Sequence, residues 1–175
     1  MRKYKSFQND RLFHESTFNL LYITQSHYPA AQKTSLMRKA TDEDKPFSNL
    51  FIWDINTQTK SALFSDEIAQ TEQIQKILFE KEYDDQNQCI LFNSEAHVFN
   101  KENIPYRNLK NKLLLETYHP ESDKHHLWLS NKQGNDLSKI ATLGINTQWH
   151  LDIGNNRIRI IQHLKTDINI HEISW

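Results

Sequence analysis

Apolar residues in this chain fall mostly into short runs of strand length, and few stretches carry a helical period. Trp149, Leu151 and Ile153 alternate with Gln148, His150 and Asp152, the period-two pattern of a strand with one face in a core. Residues 50–55 put Phe51, Trp53 and Ile55 on one side and Leu50, Ile52 and Asp54 on the other. Residues 18–24, 89–92, 112–118 and 126–129 are dense apolar runs of similar length, and 157–161 and 168–173 are rich in isoleucine. Strands recurring at this spacing predict antiparallel sheet. Turns are expected at 56–59, 84–87, 133–136 and 154–156, where Asn and Asp do the work that glycine often does. Both residues tolerate a left-handed backbone and can bond their own main chain.

Two stretches depart from this pattern. Ser65-Asp66-Glu67, followed by Ile68, Ile74, Ile77 and Leu78, predicts an N-capped amphipathic helix running to about Lys81. A strand over 74–80 is the alternative. Residues 29–44 are polar with weak helical spacing and read as a short helix or a long loop.

Composition sharpens this picture. Only 3 of the 175 residues are glycine, at 134, 144 and 154, so the first 133 positions hold none. That excludes Gly-rich phosphate loops and the G-x-S-x-G elbow of hydrolases, which need glycine for close backbone approach or positive φ. Apolar residues make up 37% and aromatics 11%, so the core must lean on aromatic side chains. The chain length predicts one domain over 1–175, with 100–111 as the best internal boundary. The net charge of −1 gives no global pull toward nucleic acid or an anionic membrane. A lone cysteine, Cys89, excludes an intrachain disulfide and any cysteine-based zinc site. No secretory h-region and no membrane-length apolar run is present, so the expectation is a soluble, cytoplasmic protein without a cofactor.

The chain also contains two similar units, 18–95 and 111–175. Asn19-Leu20-Leu21-Tyr22-Ile23 resembles Asn111-Lys112-Leu113-Leu114-Leu115, and each is followed by a strand bearing a tryptophan, Trp53 or Trp128. The second unit resembles a blade of the TolB or WD40-like β-propellers, through Leu127-Trp128-Leu129, Gly134-Asn135-Asp136-Leu137, Trp149-His150-Leu151-Asp152 and Arg157-Ile158-Arg159-Ile160. The family's Ser-Pro before Asp-Gly is His150-Leu151 here, and its glycine is Ile153. The match is good over 125–163 and poor over 50–92. The resemblance implies propeller-like sheets. Two units cannot close a ring, since propellers have about four to eight blades, so it also implies a homo-oligomer or an open sheet.

Candidate chemistry is sparse. His119, Asp123, His125 and His126 lie within eight residues and offer the imidazole and carboxylate groups that hold divalent metals, although Pro120, Glu121 and Ser122 among them equally read as a solvated turn. Nothing local marks a nucleophile with its base, so no catalytic residue is assigned. An acidic stretch, Asp66, Glu67, Glu72, Glu80 and Glu82, could face a basic partner. A basic loop with Tyr106, Arg107 and Lys110 offers charge beside an aromatic, and Trp175 is the tryptophan freest to meet a partner. The sequence thus reads as a mainly β, antiparallel, propeller-like domain with one or two short helices, α+β being the alternative. Its expected function is non-enzymatic binding or protein–protein interaction. A toxin-immunity or inhibitor protein docking a basic enzyme, and a metal-dependent enzyme, are the rivals.

Overall fold

The computed structural model describes residues 12–26, 47–94, 98–99 and 103–175. The polar stretch 29–44, the basic residues before 12, and Lys101 and Glu102 lie outside them. The protein is mainly β, built from antiparallel sheets with one short helix. The first sheet runs β1(Leu12–Glu15), β2(Leu20–Ser26), β3(Phe47–Asp54), β5(Gln73–Leu78), β9(Leu113–His119), β10(Lys124–Ser130) and β11(Ser138–Leu143) in spatial order, with β4(Thr59–Ala62) on the edge of β3. The second has the order β14(Ile168–Ser174), β13(Arg157–His163), β12(Thr147–Asp152) and β8(Val98–Phe99), its last pair parallel. A separate hairpin joins β6(Glu80–Asp84) to β7(Cys89–Phe92). The sheets are open. Among the described residues no helix is long and apolar enough to cross a membrane.

Two cores lie on opposite faces of β5, β9 and β10, and side-chain alternation assigns residues to each. Ile77, Leu113, Leu115 and Trp128 join Leu20, Tyr22, Leu50, Ile52 and Phe64 in the first core. Their neighbours Leu78, Leu114, Leu127 and Leu129 join Trp149, Leu151, Ile158 and Trp175 in the second. Strand β9 is therefore apolar on both faces, which explains the unbroken Leu113-Leu114-Leu115 in its sequence.

The helix expected through Lys81 stops far earlier. Helix α1 covers Asp66–Thr71, with Ser65 as its cap, and β5 begins at Gln73. The register against β9 slips between Ile74 and Lys76. This bulge turns both Ile74 and Ile77 to the first core, giving an i, i+3 spacing that imitates a helix. The alternative reading, a strand over 74–80, is the one observed.

Five hairpins share one turn design. A polar side chain ends the first strand, and four residues later a non-glycine residue sits at positive φ: Glu15 and Asn19, Asp54 and Gln58, Asp84 and Gln88, His119 and Asp123, Asp152 and Asn156, with φ of 57°, 56°, 48°, 51° and 51°. The leading side chain accepts from amides inside the turn. Asp54 Oδ1 takes Asn56 N at 2.8 Å and Thr57 N at 3.1 Å; Asp84 Oδ1 takes Gln86 N at 2.9 Å and Asn87 N at 3.1 Å. Glutamine in this role is invisible to a search for Asn and Asp turns. Gly134 has φ of +84°, where a side chain would be strained, and an added Cβ would meet Ile52 Cδ1 at 2.7 Å.

Candidate functional site

The two faces of β9 and β10 carry different chemistry. Glu116 and His125 point toward the second core, where a bulged β5 sets Lys76 opposite Glu116. Glu116 Oε2 accepts from Trp149 Nε1 at 3.0 Å and pairs with Lys76 Nζ at 3.2 Å. His125 Nδ1 lies 3.0 Å from Glu116 Oε1, and this buried nitrogen makes no hydrogen bond among the described residues. Around these groups opens a cleft of about 370 Å³, bounded by Asp123, Leu143, Thr147 and Gln148. Its lip is the turn from β11 to β12, closed by a bond from Thr147 N to Gly144 O at 3.0 Å. That turn holds Ile145 with 97% of its surface in solvent. Asp123 at the rim accepts from Tyr118 Oη at 2.9 Å, and this bond holds the Tyr118 phenol above its ordinary pKa.

The opposite face holds a closed network. His126 Nδ1 meets Glu72 Oε1 at 2.6 Å, Thr117 Oγ1 donates to Glu72 Oε2 at 2.5 Å, and Trp128 Nε1 donates to Thr117 Oγ1 at 2.9 Å. The four residues suggested for a metal therefore do not converge. His125 and His126 are successive strand residues on opposite faces, Asp123 is held by Tyr118, and His119 Nδ1 accepts from Ser122 N at 3.3 Å. Among the described residues no group of three or more His, Cys, Asp or Glu side chains is placed to hold a metal ion.

The acidic stretch is likewise divided. Asp66 and Glu67 lie exposed in the first turn of α1, and Glu82 is exposed on β6. Glu72 and Glu80 are buried. Glu80 gathers the very residues suggested for a partner. Arg107 Nη1 and Nη2 bond its two oxygens at 2.8 and 2.6 Å, Lys110 N donates at 2.7 Å, and Trp175 Nε1 donates at 2.8 Å. Burial works to raise the Glu80 pKa, but Arg107 and these other donors outweigh it, and the carboxyl ends below its ordinary value. Trp175, expected to be the freest tryptophan, is 2% exposed in the second core. Its indole packs near the Phe92 ring, 6.4 Å between centroids, and its N–H finds a buried acceptor in Glu80, as a buried tryptophan requires. Tyr106 is exposed and packs edge-on against Tyr83 at 5.2 Å.

Sequence reading missed Lys76, Glu116 and Ile145. Glu116 had a signal, a lone charge directly after an apolar strand run. It also missed Lys132, wholly buried between Glu15 Oε1 at 2.7 Å and Glu80 O at 2.8 Å, because Lys132 sits in a polar turn segment that reads as solvated. No family model and no curated protein matches the chain.

Proposed function

We propose that the chain is a non-enzymatic protein-interaction module that receives a partner side chain in the cleft at Glu116 and His125. The observation that carries this is the pairing of an open, charge-lined cleft with Ile145 almost fully exposed on its lip. A cavity of about 370 Å³ is the size of a small ligand pocket, and an anchor residue in a pocket beside an apolar contact is how binding energy concentrates at interfaces. The interior offers a carboxylate, an ammonium and an imidazole together, which suits a polar side chain bearing both donors and acceptors. A cytoplasmic setting belongs to the same reading, in keeping with the free thiol of Cys89.

The test is capture of a partner from an extract of the source cell by the tagged chain, compared with Ile145→Asp and Glu116→Gln. Both lie at the cleft, and Ile145 supports no core, so the fold is expected to persist. A partner retained by the wild type and released by both variants is the expected result. Capture that neither variant changes sinks the proposal.

A further inference from the structure

The outer edge of the second sheet carries a separate inference. Strand β14 pairs only with β13 among the described residues, and Ile168 and Ile170 remain 52% and 54% exposed. The hydrogen-bond parity of this edge follows from its neighbours. His163 N donates to Asn146 O, toward β12, and Trp175 N donates to Asn156 O. His163 faces Ile168 and Arg157 faces Ser174 in the register, so both are non-hydrogen-bonded pairs. Ile168, Ile170 and Glu172 therefore turn their N–H and C=O groups outward, to an unpaired edge. Such an edge is a template for another strand.

We propose that this edge pairs with β14 of a second copy of the chain, antiparallel and two-fold symmetric about Asn169. Symmetry and pleat allow the axis only on a residue, and the sequence selects which one. Centred on Asn169, Ile168 faces Ile170 of the second copy and Ile170 faces its Ile168. Each pair exchanges both N–H···O bonds, and the pairs join Ile161, which flanks Ile170 on the same face, into one apolar stripe. His171 then faces Asp167 of the second copy, opposite in charge once the imidazole is protonated. Centred on Ile170 instead, Ile168 would face Glu172; centred on His171, Ile170 would. Both place an apolar side chain against a carboxylate. In the free chain Ile168 N–H is occupied by its own Asp167 Oδ1 at 2.7 Å. Pairing passes that N–H to Ile170 O of the second copy and releases the Asp167 carboxylate to His171 across the axis.

Sedimentation velocity on the full chain, over a wide concentration range, tests this. The expected mass is twice the 20.8 kDa of one chain, falling to a single chain in Ile170→Lys, with circular dichroism showing the fold intact. Should that variant fail to fold, His171→Asp reads the same contact. It sets like charges opposite Asp167 and is expected to dissociate the dimer, and adding Asp167→Lys is expected to restore it. A mass of one chain at every concentration overturns the proposal, as does a dimer that survives both Ile170→Lys and His171→Asp.

Discussion

Glu80 and Glu116 face the same kind of company in two different places. Each accepts an indole N–H, from Trp175 at 2.8 Å and Trp149 at 3.0 Å, and each pairs with a cation, Arg107 and Lys76. Around Glu80 the guanidinium binds bidentately, a backbone amide adds a further bond, and the carboxylate is shut away from water. Around Glu116 the ammonium stands off at 3.2 Å, the imidazole makes no hydrogen bond to it, and water reaches both side chains. The difference is one of closure. A sealed carboxylate whose lone pairs are all used can only hold the fold together, whereas one whose partners reach solvent can exchange them for a ligand's. Chemical composition alone does not separate a sealed ion cluster from one that opens to solvent.

Three measurements press on this contrast. Glu80→Ala strands the Arg107 guanidinium and the Trp175 and Lys110 N–H groups, and breaking a buried pair by removing one partner costs about 3–5 kcal/mol. Chemical denaturation is expected to show a loss of that order, and one below about 1 kcal/mol would erase the distinction between the two regions. Acid should act next. Burial tends to raise the Glu15 pKa as well as that of Glu80, but Lys132 at the first and Arg107 at the second lead the donors that leave both below the ordinary value. A depressed native pKa means the unfolded chain takes up its proton first. The stability these groups contribute is thus complete above about pH 4.3, the free glutamate value, and is lost as pH falls through their native pKa values. Melting temperature followed below pH 5 should drop, and Glu80→Gln should flatten the drop; an unchanged slope counts against Glu80 as its source. The smallest effect belongs to the cleft. Lys76→Ala removes a pair whose lysine is about one-third exposed, and such pairs are worth roughly 0–1 kcal/mol. A cost near that of Glu80→Ala would show that the cleft is a structural element.

Much of the fold is visible in the residue pattern, and most of the site is not. Strands β3, β7, β9, β12, β13 and β14 lie where alternation or β-branched runs place them, because a side chain's face depends only on its parity within the strand. Strand β5 reads as helix because its bulge breaks that parity. The cleft is assembled from residues 76, 116 and 125, which become neighbours only through the β5–β9–β10 pairings, and no local pattern encodes that adjacency. Arg107 and Trp175 read as surface for a related reason. Glu80 binds both, leaving Arg107 half-buried and Trp175 fully so, and each looks exposed when judged alone.

The five turns with Asn, Gln or Asp at positive φ bear on how the protein folds. A left-handed residue with a side chain costs up to roughly 1–2 kcal/mol, less for Asn and Asp than for Gln58 and Gln88, a penalty that a glycine turn escapes. Such a turn does not close readily on its own and then wait for its strands. It persists once the cross-strand pairs on either side are made, so turn and ladder gain order together and lose it together. Each hairpin is in this sense a single cooperative unit.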